Sequence, residues 1–158
     1  MKSLIFDLDD TLLMSGTYKR YDDIVPNSRL TSILYNLQNN KYLYTNGTYG
    51  HGINGLDGLN LRNIYDFHDD KIYGRDSIPY MKPDFKSFNH VNNNIMYDHH
   101  DYNKKLFFDD LQENLKTAHN IGWETVWIHV EADNNIKPYY IDYAYTNVVQ
   151  ALENIDLN

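Results

Sequence analysis

Leu4-Ile5-Phe6-Asp7-Leu8-Asp9-Asp10-Thr11 runs an apolar triplet straight into three carboxylates. A short apolar run bounded in this way reads as a buried strand that stops where the acids begin. Carboxylates at the carboxyl end of a buried parallel strand lie at the sheet crevice where ligands bind. Taken alone, the motif reads equally well as a strand end turning into solvent, because Asp favours turns. A second copy of the pattern tips the balance. Leu106-Phe107-Phe108 leads into Asp109-Asp110 in the same manner, so two apolar strands deliver their acids to one edge. Like charges gathered there need a cation, and hard oxygen ligands select magnesium.

Between and beyond these strands, short apolar runs alternate with helical periods, the layout of an α/β domain with a parallel sheet. Leu30, Ile33, Leu34 and Leu37 form one stripe on a helix that begins near Pro26 to Ser28, and a strand from Tyr42 to Thr45 follows. Gly47, Gly50, Gly52, Gly55 and Gly58 weaken the next helix, placed around His51 to Leu59. Ile72 and Tyr73 read as a short strand, and Pro83 as the first turn of a helix running to about Asn92. The Asn-rich stretch Val91 to Lys105 reads as a polar loop or frayed connection. Leu111, Leu115 and Ala118 mark a helix closed by Gly122, Thr125 to Val130 a further strand, and about 142–155 a C-terminal helix.

At 158 residues the chain is long enough for one full core and short for two, so one domain spanning 1–158 is expected. It contains no cysteine, which removes disulfides, thiolate metal sites and a cysteine nucleophile together. With Asp7, Asp9 and Asp10 interrupting the first apolar run, no signal peptide is expected, and the location implied is cytoplasmic. No apolar stretch approaches a membrane span. The net charge of −8 disfavours long nucleic acids as partners but not a small phosphorylated ligand. The 15 Tyr and abundant Asn suit A+T-rich codons, and no function is drawn from them.

Two further pieces belong to the acidic edge. Thr45-Asn46-Gly47 follows the second strand, where a hydroxyl and free backbone N–H groups could hold a phosphate oxygen; by itself Asn-Gly is only a turn signal. Lys82 precedes Pro83 at a helix start, where its ammonium and the helix N-terminus both favour an anion; by itself such a lysine is usually a solvated charge. The order of acids, Thr, Lys and acids, each at the end of an element, is the specific signal. His99-His100-Asp101 lacks the spacing of a metal site and is expected to be solvated, and Tyr139, Tyr140, Tyr143 and Tyr145 are expected to pack.

Phe6-Asp7-Leu8-Asp9-Asp10-Thr11-Leu12, Tyr44-Thr45-Asn46-Gly47, Met81-Lys82-Pro83-Asp84 and Phe107-Phe108-Asp109-Asp110 resemble the four motifs of the haloacid dehalogenase superfamily of phosphohydrolases. Asn114-Leu115-Lys116-Thr117-Ala118 and Gly122-Trp123 look like the helix and turn that follow the last motif, and the wording is closest to pyrimidine 5′-nucleotidase-like members. The resemblance implies a three-layer Rossmann-like core, a carboxylate nucleophile and a magnesium ion. It makes Asp7 the nucleophile and Asp9 the general acid and base, with Thr45, Asn46 and Lys82 around the phosphoryl oxygens. Asp7, Asp9 through its carbonyl, and Asp110 are the implied metal ligands, with Asp109 water-linked or orienting Lys82. Transport ATPases of this superfamily carry Thr where this chain has Asp9, and its true dehalogenases need no magnesium. The branch implied is phosphatase, with phosphomutase second.

Nucleotidase-like relatives commonly carry a helical cap between the first two motifs, and the segment from Asp10 to Thr45 leaves room only for a flap at about 12–25 and one helix. A capless enzyme is expected. An open site suits a nucleotide, a phosphoryl group on a larger molecule, or a site roofed by a second copy of the chain. The rival reading is a catalytically silent module that keeps the fold and the magnesium and phosphate sites.

Overall fold

A computed structural model of the protein describes residues 1–62, 64 and 67–158. The acid-ended run forms β1 (Ser3–Phe6), followed by α1 (Ser28–Asn36), β2 (Lys41–Tyr44), α2 (Tyr49–Gly58) and β3 (Ile72–Tyr73). After these come α3 (Phe85–Asn93), β4 (Lys105–Asp109), α4 (Gln112–Asn120), β5 (Glu124–Ile128), β6 (Tyr143–Tyr145) and α5 (Val148–Asn154). The six strands make one parallel sheet in the order β3-β2-β1-β4-β5-β6. The strand order reverses between β1 and β4, which opens a crevice at their carboxyl ends. Phe6 pairs with Phe108, so the acids after the two strands emerge at the same height.

Period-two alternation divides the side chains between the two faces. Leu4, Phe6, Leu43, Leu106, Phe108, Val126 and Ile128 share one apolar cluster with Leu30 and Leu34 of α1, Leu56 of α2, and Val148, Ala151 and Leu152 of α5. Ile5, Tyr42, Tyr44 and Phe107 turn the other way, to Phe88 and Val91 of α3 and Leu115 and Ala118 of α4. The result is the three-layer, Rossmann-like α/β arrangement. Between β1 and β2 lie only α1 and a flap with one 3-10 turn at Tyr21–Asp23, so no cap domain is inserted there. No helix among the described residues is long and apolar enough to cross a membrane.

Local sequence and structure part company in three places. The glycines of α2 lower its intrinsic propensity, yet they let it lie against the sheet: a Cβ on Gly52 would stand 3.1 Å from Leu43 and Ile72, and one on Gly55 2.9 Å from Leu8. Packing thus outweighs the cost of glycine. The Asn-rich stretch expected as a loop continues α3 to Asn93 and adds a π-helical turn at Asn94–Asp98. Phe88, Val91 and Ile95 are all fully buried and carry the helical stripe through the asparagines. The helix expected from 142 begins only at Val148, because Tyr143–Tyr145 forms β6. Tyr143 and Tyr145 face one cluster and Ala144 the other, a period of two that the flanking apolar residues disguise.

One further expectation is overturned at the amino end of the sheet. Asp101, expected in solvent, is 3% exposed and accepts hydrogen bonds from Ser3 Oγ at 2.6 Å, Asn40 Nδ2 at 2.7 Å, Tyr42 OH at 2.9 Å and its neighbour Asn103 N at 3.0 Å. It ties the starts of β1, β2 and β4 together.

Phe88 is the keystone of the α3 and α4 side, with its ring 5.2 Å from Tyr44, 5.7 Å from Phe107 and 5.6 Å from Trp123, all edge-on. Phe88→Ala should lower stability by about 3–5 kcal/mol, read by urea titration. A loss below about 1 kcal/mol would mean that this layer closes over the gap.

Candidate active site

The crevice between β1 and β4 collects the acids. Asp7 extends β1, its N–H donating to Phe108 O at 2.9 Å, and is 7% exposed. Asp109 closes β4 and is fully buried, and Asp110 follows it, half-buried. One oxygen from each of these three carboxylates lies within 4.8 Å of the others. A cavity of about 260 Å³ opens onto Asp7 and Asp110, lined also by Asp9, Thr45, Asn46, Gly47 and Lys82, with Asp109 buried behind them.

Lys82 reaches this cluster from the loop before α3. Its ammonium donates to Asp109 Oδ2 at 2.7 Å, Asp7 Oδ1 at 2.9 Å and Tyr44 O at 2.9 Å, which uses its three protons. Asn46 lines the cavity, and its side chain clamps the Lys82 backbone: Oδ1 accepts from Lys82 N and Nδ2 donates to Lys82 O, each at 2.9 Å. Thr45 is 2% exposed, and its Oγ1 accepts from Gly47 N at 3.0 Å, leaving its own hydroxyl proton to give.

Asp109 is saturated. Oδ1 accepts from Leu111 N at 2.8 Å, Oδ2 from Lys82, and Asn114 Nδ2 sits 3.1 Å from both oxygens. Asn114 was not singled out in the sequence; the signal that could have found it is a polar residue on the same helical face as Leu115 and Ala118, and it is 3% exposed. Leu111 leaves that stripe and is 55% exposed at the rim. Asp10 adopts a left-handed backbone, φ 60°, and its carboxylate accepts from Ser15 N at 2.8 Å and Ser15 Oγ at 3.0 Å, folding the flap back from β1.

The electrostatics show a shortage of positive charge. Burial pushes Asp7 well above the ordinary carboxylate range; Lys82 opposes this and Asp109 adds to it. Burial also lowers the affinity of Lys82 for its proton, but Asp109 and Asp7 outweigh it and hold the ammonium charged. Asp110 is raised to about 6, by burial first and Asp109 second. With all three carboxylates ionised, one ammonium leaves two negative charges uncompensated, and every donor is a hard oxygen. The cluster could therefore hold a divalent metal ion.

The Asp9 carboxylate is not one of the three that cluster. Its carboxylate, 39% exposed, faces His51 Nε2 at 2.9 and 3.0 Å. His51 carries no signal in the sequence beyond lying six residues past Thr45, and only the fold brings it to Asp9.

The sequence matches no protein-family model and no curated protein. Among solved structures, the fold is similar to the crystal structure of a dehalogenase, with TM-score 0.59 and 16% identity over 82% of this chain and 53% of that one. The chain spans about half of that dehalogenase's length, and the likeness is one of fold.

A folded-state pKa near 6 for Asp110 lies above the ordinary value of about 3.9, so its ionisation costs stability as pH rises through that interval. In chelator at pH 7, Asp110→Asn should gain about 1 kcal/mol, discounted for its half exposure, and the gain should shrink towards pH 4. Magnesium should raise the melting temperature of the unmodified protein more than that of the variant. Thermal denaturation in chelator and in magnesium at both pH values checks both statements; equal metal shifts would remove Asp110 from the metal site.

Proposed function

We propose that this chain is a magnesium-dependent phosphatase of the haloacid dehalogenase type, working through an aspartyl-phosphate on Asp7. The observation that carries the reading is the Lys82 ammonium bridging Asp7 and Asp109 in a crevice that Asp9 and Thr45 also line. Such a bridge holds one Asp7 oxygen and leaves the other to attack phosphorus.

In the first step an Asp7 oxygen bonds to phosphorus, the bond from phosphorus to the leaving oxygen breaks, and Asp9 gives that oxygen a proton. In the second, water attacks phosphorus, Asp9 takes its proton, and the acyl-phosphate bond breaks to restore Asp7. Thr45, through its free hydroxyl proton, and the Lys82 charge stabilise the phosphoryl oxygens. Asp7, the Asp9 carbonyl and Asp110 would hold magnesium, whose chemistry is to screen the anionic nucleophile from the anionic phosphate. Asp109, with its acceptor sites filled, orients Lys82. The open crevice admits a small phosphoester such as a nucleotide or a phosphoryl group on a larger molecule.

The dehalogenase fold supplies a second reading, attack of Asp7 on a carbon bearing halogen. A halide leaves without a proton, so Asp9 would have no work there as an acid, and a carbon centre has no anionic oxygens for a cation at the acid cluster to screen, which favours phosphorus.

Phosphate release from an aryl phosphate should require magnesium, stop in chelator, and fall roughly a thousandfold or more in Asp7→Asn. Turnover surviving in a folded Asp7→Asn protein would sink the nucleophile assignment, and halide release from a haloacid without magnesium would establish the second reading.

A further inference from the structure

A general acid must stand within hydrogen-bond reach of the leaving oxygen, about 2.6–3.2 Å, at the moment the bond breaks. Asp9 sits on a loop at the mouth of the crevice, where solvent would let its carboxylate turn freely. His51 prevents this. Its Nε2 lies 2.9 and 3.0 Å from the two Asp9 oxygens, so a single N–H straddles the carboxylate.

The imidazole is itself fixed on three sides. Its backbone is set in the first turn of α2, where His51 N donates to Thr48 Oγ1 at 3.1 Å. Its Nδ1 is 2.8 Å from the Tyr21 hydroxyl, with the two rings 5.7 Å apart. Behind the ring lies Gly47, where a Cβ would come within 2.6 Å of His51 Cδ2. Glycine after Thr45-Asn46 therefore makes room for this histidine. A neutral imidazole protonated on Nε2 satisfies the whole chain: Tyr21 O–H donates to Nδ1, and Nε2–H donates to Asp9. Tyr21 in turn belongs to the flap and lies against Tyr18, ring centres 6.4 Å apart.

We propose that His51 is a positioning residue for Asp9, held in place by Tyr21, so that the flap and α2 together set the general acid and base of an enzyme without a cap. The assignment rests on the phosphatase reading above. His51 exchanges no proton with substrate: Asp9 alone protonates the leaving oxygen and later takes the proton of water.

The consequence is selective. A nitrophenolate departs without a proton, whereas an alkoxide needs one, and hydrolysis of the acyl phosphate needs a base whatever left before it. In His51→Ala, the pre-steady-state burst of nitrophenol should keep its rate within about twofold, while steady-state turnover and kcat/KM for an alkyl phosphate fall about 10–100-fold, part of the whole worth of a general acid. Tyr21→Phe, at a partly exposed site, should give the same pattern at about 3–10-fold and guards against misfolding of the first variant. In an Asp9→Asn background, His51→Ala should add nothing, since the two residues act as a unit. Equal losses in burst and turnover, or losses that multiply in the Asp9→Asn background, would overturn the positioning role and leave the phosphatase reading standing. An unmodified chain that releases phosphate from neither ester would overturn that reading, and this assignment with it.

Discussion

The site depends on one buried contact, the Lys82 ammonium between Asp7 and Asp109. Burying an ion is costly unless a partner and full hydrogen bonding offset it, and removing one partner leaves an uncompensated charge. Here the compensation is complete for two of the groups. Lys82 spends all three protons, and Asp109 fills its acceptor sites with Lys82, Asn114 and the Leu111 N–H. The contact also crosses the chain: Asp7 ends β1, Asp109 ends β4, and Lys82 is clamped by Asn46 just after β2. Each partner arrives from a different crossover, so the site exists only when β2, β1 and β4 have come together.

The two ends of the sheet show how a structural acid differs from a working one. At the amino end, Asp101 is as buried as Asp7, yet four neutral donors solvate it and hold its pKa below the ordinary value despite burial. At the carboxyl end, Asp7 and Asp110 are raised because burial and neighbouring acids are not matched by donors. A fold selected only for stability would resolve the second case as it resolves the first. Unresolved charge at a topological switch point is what a cation and an anionic substrate can complete.

Legibility in the sequence followed the range of the interaction. β1 and β4 were plain because a buried strand ending in acids is a local pattern, and their pairing is set by the same alternation that marks them. Thr45, Lys82 and the acids could be placed at one edge because parallel topology brings strand ends together. Asp101 and His51 were not legible: each acts through partners 30 to 98 residues away, and nothing beside them in the chain distinguishes a bonded from a solvated polar group. β6 was hidden for a different reason, since Ile141, Tyr145 and Val148 satisfy a helical period as well as a strand followed by a helix. The clamp of Asn46 on Lys82 was not legible either, because a short amide beside a strand end bonds to whichever backbone comes near, here one 36 residues away.

The aromatic layer beneath the site belongs to the same constraint. The Lys82 ammonium stands 5.0 Å from the Tyr44 ring centre and 5.3 Å from that of Phe107, which Phe88 and Trp123 back edge-on. Aromatic faces add attraction for a cation without adding a charge, an advantage where carboxylates are already in excess. They also fix the height of the ammonium, since the Tyr44 and Phe107 rings are fully buried and a close-packed interior leaves them little room to shift. The burial that raises Asp7 is thus the burial that keeps Lys82 in place, and removing one would remove the other. An aliphatic layer would exclude water equally well but would leave the ammonium supported only by the acids whose charge it must share.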